Sequence, residues 1–267
     1  NIQLLKDSNI FIITVPTPVK KNKMPDLSHL KHASKIVGQC LKKSSIVIYE
    51  STVYPGCTEE FCGPILEKTS KLRVNKDFFL GYSPERINPG NNIQKLPNIV
   101  KIVSGSNKYS LDLIKKLYRK IIKAGIHVAD TIKTAEAAKV IENIQRDINI
   151  ALINECSVIF KKLNLDTSKV LKAAETKWNF IPFKPGLVGG HCIGVDPYYL
   201  TYKAKETNYN PKVILAGRKV NDNMSSYISK KILKTLKERP KNNQKKRVLV
   251  LGLSFKENCV DTRNSKV

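Results

Sequence analysis

The sequence predicts an α/β fold that gives way to an all-helical region. Three observations carry this. Short apolar runs alternate with amphipathic stretches over residues 1–130, apolar positions then recur at helical spacing through residues 134–165 without a proline or glycine, and a last apolar run follows a polar linker at 247–255. Strands alternating with helices imply βαβ units and a mostly parallel sheet.

Taken in order, NIFIITVP (9–16) reads as a strand ending at a Pro-rich turn and DLSHLKHASKIVGQCLKK (26–43) as a helix. SIVIYEST (45–52) returns to a strand, and a helix begins near Cys57 after a Pro-Gly turn. DFFLGYSP (77–84) and NIVKIVSG (98–105) read as strands, and SLDLIKKLYRKII (110–122) as a helix. Residues 134–165 form one long helix. A second spans 166–176 with Asp166 or Thr167 at its N-cap, and 196–207 and 212–238 read as two more. RPKNNQKK (239–246) is a charged linker, and RVLVLGLSF (247–255) reads as the first strand of another α/β domain. The expected domains are therefore 1–130, 131–238 and 245–267.

At 267 residues the chain can bury a substantial core, and an apolar share of 41% with recurrent hydrophobic segments argues against disorder. No apolar run reaches the roughly 18 to 20 residues of a membrane span, and no signal peptide opens the sequence, so a soluble cytoplasmic protein is expected. Cys40, Cys57, Cys62, Cys156, Cys192 and Cys259 include no CxxC pair, and no metal site is assigned. The net charge of +25 raises the question of nucleic acid. The lysines are spread over nearly every segment without aromatic interleaving, so a basic surface suited to acidic ligands is expected instead, with neither nucleic acid nor membrane as partner.

GLVGGHCIGVDP (186–197) crowds four glycines around His191 and Cys192. A thiol of ordinary pKa is only a minor fraction thiolate at neutral pH, so a nucleophilic cysteine needs a built environment. Cys192 is either a buried small hydrophobe or such a nucleophile; neighbours of Gly, His and Asp type fit the first reading poorly. Asp196 stands before Pro197 as an N-cap stands before a proline at N1, and a capping carboxylate can also be catalytic. Lys139 and Asn143, four apart on the long helix, share a face. They are either a solvated polar stripe or groups that hold a developing oxyanion or sugar hydroxyls. Thr17, Thr52 and Glu85 lie at strand ends, where open α/β sheets bind ligands.

Read in order, VPTP, ESTVYPG, SPER, AEAAKVIENIQRDINIALINE, PFKPGLVGGHCIGVDPYYL and GLSFKENCVDTRNS resemble the UDP-glucose/GDP-mannose dehydrogenases over essentially the whole chain. TKWNFIPFKPGLVGGHCIGVDPYYL is most similar to the bacterial branch that oxidises UDP-N-acetylhexosamines for surface polysaccharides. The resemblance implies a Rossmann-like NAD-binding domain, a helical central domain that makes a homodimer through its long helix, and a domain that holds the sugar nucleotide. It implies oxidation of the C6 alcohol of a UDP-sugar, UDP-N-acetylhexosamine or UDP-glucose, to the carboxylate with two NAD+, through a thiohemiacetal and thioester on the cysteine matched by Cys192.

By the same resemblance Asp196 assists water, Lys139 and Asn143 stabilise oxyanions and contact substrate, and Thr52 and Glu85 are further active-site groups. Thr17, Thr52 and Arg263 contact NAD, and Gly189 and Lys256 contact the sugar nucleotide. Two departures matter. Pro89 stands where some members carry a second glutamate, and no GxGxxG follows any strand. The expectation is an internal fragment: an NAD-binding domain lacking its glycine-loop unit, the central domain, and the start of a truncated UDP-sugar domain, with an unpaired strand edge and exposed apolar faces. The alternative is an inactive remnant that retains only dimerisation.

Overall fold

The computed structural model describes residues 2–87, 95–190, 192–238 and 246–267, with side chains for all of these except Cys192. They divide into two compact units, 1–142 with 198–209, and 143–197 with 210–267.

The first unit is built on a five-stranded sheet in the order β1 (Ile10–Ile13), β2 (Ile46–Tyr49), β3 (Phe79–Tyr82), β4 (Lys101–Gly105) and β5 (Ile126–Val128). The pairs β1–β2, β2–β3 and β4–β5 are parallel, and β3–β4 is antiparallel. Crossovers through α1 (Ser28–Gly38), α2 (Gly63–Ser70) and α3 (Lys108–Arg119) supply the parallel pairs. The described part of the β3–β4 connection carries only a 3-10 turn, Leu96–Asn98, and that connection reverses the chain direction. The fold class is thus the expected α/β, with one strand opposed and one, β5, unforeseen. At three residues, β5 is too short for a period-2 pattern to reveal.

All four residues of β2 are buried, as a central strand requires, and Ile46 and Ile48 form a core with Val103, Ile114, Tyr118 and Ile122. On β1, at the sheet edge, Ile10 and Ile12 are exposed, which is the expected apolar face. α3 starts on a capping box: Asn107 accepts from the Ser110 N–H, and the Ser110 hydroxyl accepts from the Asn107 N–H.

Helix α4 (Ile132–Lys162) is the predicted long helix. Asp166 caps α5 (Thr167–Ala174) by accepting from the Ser168 and Lys169 N–H groups, as expected. α7 covers Lys212–Glu238.

Two expectations change. α6 runs from Cys192 to Glu206 and contains Pro197, so Asp196 lies in its second turn and does not cap it. Gly190 has φ +80° just ahead of the helix, and Pro197, in the second turn, removes the one intrahelical hydrogen bond its N–H would have made to the Ile193 carbonyl. Residues 247–255 form no strand, and Leu249 and Leu251 are 81% and 85% exposed. A strand needs a neighbour for its N–H and C=O groups, and none of the described residues pairs with this segment.

Candidate active site

Of the predicted site residues, Thr17, Thr52, Glu85 and Lys139 belong to the first unit, and Asn143, Gly189, Cys192, Asp196, Lys256 and Arg263 to the second.

In the first unit the loops after β1 and β2 are bound to each other. The Thr17 hydroxyl donates to the Thr52 carbonyl at 2.7 Å, the Ser51 hydroxyl to the Val15 carbonyl at 2.6 Å, and the Tyr199 hydroxyl to the Thr17 carbonyl at 2.6 Å. Thr17 and Thr52 are thereby brought together at the carboxyl ends of adjacent parallel strands. The β2 loop continues into a π-helical turn, Cys57–Cys62, entered at Gly56 with φ +95°. Glu136 of α4 reaches this turn from below. It is fully buried and accepts from the Gly56 N–H at 2.5 Å and the Thr58 N–H at 2.9 Å. Burial pushes its carboxyl up to about 7, against the opposing effect of hydrogen bonds from Thr58 and Gly56.

Glu85 follows β3. One of its oxygens accepts the N–H groups of Arg86 and Ile87, both at 2.6 Å, and the other lies 4.0 Å from the Lys101 ammonium. Lys101 is 2% exposed and lies 3.2 Å from Glu50, which also accepts from the Tyr118 hydroxyl; it donates as well to the Pro84 carbonyl at 3.1 Å. Arg86, next to Glu85, pairs with Glu142 at 2.8 Å. Glu85 thus stands on a backbone turn fixed from beneath by a buried lysine. Lys101→Met is expected to destabilise the protein by about 2 kcal/mol, because it strands Glu50 in a largely buried site. Chemical denaturation measures this, and a loss under 0.5 kcal/mol would show that the pair contributes little. Lys139 is 7% exposed, and among the described residues no carboxylate lies within ion-pair distance of it.

In the second unit the Asn143 amide donates to Asp196 at 2.5 Å, and both are at least 95% buried. Neither is a solvated polar residue, and the stripe reading of Lys139 and Asn143 fails on burial. Cys192 is the first residue of α6, one turn before Asp196; its side chain lies outside the described residues, as do His191 and Pro89. Gly189 is pressed against the 254–265 segment: a Cβ there would come within 2.9 Å of the Asn264 carbonyl and of Phe255. Lys256 belongs to that segment, and Arg263 makes a two-pronged contact with Asp261 at 2.9 and 2.8 Å.

Three buried polar positions escaped the sequence reading: Glu136, Lys101 and Asn154. Two of them carry a visible signal. Glu136, Lys139, Asn143, Asp147 and Asn154 recur on α4 at intervals of three, four, four and seven, the period of one helix face, and each is buried.

Among the described residues no group of three or more His, Cys, Asp or Glu side chains is placed to hold a metal, and no helix is long and apolar enough to cross a membrane. For a dinucleotide, the hydroxyl-bearing loops after β1 and β2 fit a nucleotide's polar groups, whereas a glycine-rich pyrophosphate turn is not among the 267 residues.

A mostly parallel sheet whose strand-end loops carry hydroxyl groups is the architecture of dinucleotide-binding domains, and a helical region holding a buried Lys, Asn and Asp follows it in the chain. Residues 2–122 match the model for the NAD binding domain of the UDP-glucose/GDP-mannose dehydrogenase family, and residues 133–223 match the model for its central domain. The chain belongs to this family. It is 59% identical over its whole length to a UDP-N-acetyl-D-glucosamine 6-dehydrogenase of Pseudomonas aeruginosa, and 57% to Protein CapL of Staphylococcus aureus; in each case it spans 63% of the relative. Among solved structures, UDP-D-ManNAc dehydrogenase of Pyrococcus horikoshii superposes with a TM-score of 0.90 at 34% identity, over 100% of this chain and 62% of that one.

Proposed function

We propose that the protein carrying this chain oxidises the C6 hydroxyl of a UDP-N-acetylhexosamine, with UDP-N-acetyl-D-glucosamine the first candidate, to the carboxylate. The observation that supports this most directly is the buried Asn143–Asp196 hydrogen bond on helices that also carry Lys139 and Cys192. Burial of the Lys139 ammonium, with no carboxylate within ion-pair distance among the described residues, is costly unless a polar ligand uses it. The two relatives named as UDP-N-acetyl-D-glucosamine 6-dehydrogenases, at 59% and 56% identity, point to the sugar.

NAD+, when bound, accepts a hydride in each of the two oxidations. Thr17, Thr52 and Arg263 are the residues here that would hold it, and Gly189 and Lys256 would contact the sugar nucleotide. Lys139 and Asn143 stabilise negative charge on the C6 oxygen as the alcohol passes its proton to water. The Cys192 thiolate then adds to the aldehyde carbon, forming a C–S bond and an oxyanion that the same two groups hold. Loss of hydride leaves a thioester. Asp196 and Glu85 serve the hydrolysis: a carboxylate takes a proton from water, the C–S bond breaks, and the thiolate returns as the acid departs.

The unit assembles as a homodimer through α4. Leu152 and Ile159, seven residues apart on that helix, are 55% and 47% exposed, an apolar stripe suited to a second copy. The described cysteines are all free, which fits a reducing, cytoplasmic setting.

The test measures NADH formed per UDP-N-acetylhexosamine consumed by the protein that carries this chain. Two equivalents are expected from the wild type, with formation of the acid lost in Cys192→Ser. Full turnover by Cys192→Ser would sink the covalent route, and no oxidation of any UDP-sugar would sink the reaction.

A further inference from the structure

We propose that Asn154 is a positioning residue for the loop that leads to Cys192; the inference rests on the reading of Cys192 as the nucleophile. Residues 181–189 lie in neither helix nor strand, so their backbone groups have no regular partners. At Gly186 a single side chain supplies both. The Asn154 Oδ1 accepts the Gly186 N–H at 2.8 Å, and its Nδ2 donates to the Gly186 carbonyl at 3.0 Å. Asn154 is fully buried, and its Nδ2 also donates to Asn221 Oδ1 at 2.8 Å.

The orientation of this amide is dictated by a charge two links away. Ionised Asp147 can only accept, and the Arg218 guanidinium donates to it at 2.7 Å. Asn221 must therefore turn its Nδ2 to Asp147, at 2.7 Å, which leaves its Oδ1 toward Asn154. Asn154 must donate there, and its own Oδ1 is left for the Gly186 N–H. A flipped Asn154 amide would set donor against donor at the Gly186 N–H and acceptor against acceptor at Asn221 Oδ1 and the Gly186 carbonyl, so one arrangement survives.

The other end of the loop is fixed by contact. Val188 is 3% exposed. A Cβ on Gly190 would come within 2.6 Å of the Phe255 ring, and one on Gly189 would meet the Asn264 carbonyl. The segment is held at Gly186 by hydrogen bonds and at Gly189–Gly190 by packing, two residues before α6 begins at Cys192. A displaced nucleophile affects the chemical step more than binding, because small errors of placement reduce turnover steeply.

The experiment compares Asn154→Ala and Asn154→Asp with Asn149→Ala, a half-buried asparagine on the same helix that makes none of these contacts, in the protein that carries this chain. Amide hydrogen exchange of residues 186–190 is read without any ligand, and kcat and KM are read with NAD+ and UDP-N-acetyl-D-glucosamine. In Asn154→Ala the loop amides are expected to exchange at least 10-fold faster and kcat to fall about 10- to 100-fold, with both KM values within twofold. Asn154→Asp keeps the acceptor for the Gly186 N–H and falls between; Asn149→Ala changes neither readout. Wild-type kcat in Asn154→Ala, or unchanged loop exchange, overturns the proposal. Should Asn154→Ala fail to fold, residue-resolved exchange of the wild type decides: the Gly186 amide must exchange more slowly than that of Leu187, and equal rates overturn the clamp. A wild type without turnover removes the catalytic reading alone, and the exchange arm still decides the clamp.

Discussion

Replacing Asp147 by alanine is expected to lower the stability of the protein by about 3 to 5 kcal/mol, the cost of leaving a buried charge without its partner. Asp147 is fully buried, and the Arg218 side chain is 3% exposed. Their 2.7 Å contact is therefore formed with little water to soften its loss. Burial raises the Asp147 pKa while the Arg218 charge lowers it, and the carboxylate also orients Asn221. Arg218 keeps a second partner, Asp222 at 2.6 Å, so the lower end of the range is expected. Urea unfolding of the wild type and the variant measures the difference. Pairing Asp147→Leu with Arg218→Met should recover much of the loss, since the uncompensated charge then disappears. A single-variant loss below 1 kcal/mol would falsify a structural role for the pair.

The second large effect is a stability that falls as pH rises. Glu136 titrates at about 7 when folded, against 4.5 as its ordinary value. Between those two values the folded protein holds a proton that the unfolded chain has released. Stability is then full below about 4.5 and is lost progressively up to about 7, by about 3 kcal/mol in all. Glu136→Gln carries no such titration, and its stability should lack this component. The check is a set of unfolding curves from pH 5 to 8 for both proteins. Parallel stability profiles would show that Glu136 ionises normally and that the N–H groups of Gly56 and Thr58 outweigh its burial. Because those two N–H groups belong to the turn beyond Thr52, the same variant reports on how firmly that turn is held.

Most of the secondary structure was legible because it rests on local periodicity. The apolar rhythm of α4 and the Asp166 cap of α5 are written in residues within a few positions of one another, and both appear where expected. The failures share a different cause. The β4–β5 pairing, the antiparallel β3–β4 contact and the missing strand at 247–255 depend on which partner a segment finds, and no local pattern states that. Asp196 was expected to be a cap because Asp-Pro is a good helix start wherever it occurs, whereas α6 already runs from Cys192.

The sequence alone determined the α/β class, most of the helices and strands, and the family, and it named the groups proposed for chemistry: Cys192, Lys139, Asn143, Asp196, Glu85 and Thr52. These follow from residue type, spacing and motif order, which need no third dimension. Only the tertiary structure decided that Asn143 meets Asp196, that Lys101 lies beneath Glu85, and that Asn154 grips Gly186. Each of those contacts joins residues 16 or more positions apart, and its strength comes from the burial that removes competing water. Burial of that kind is a property of the assembled fold and of no segment within it.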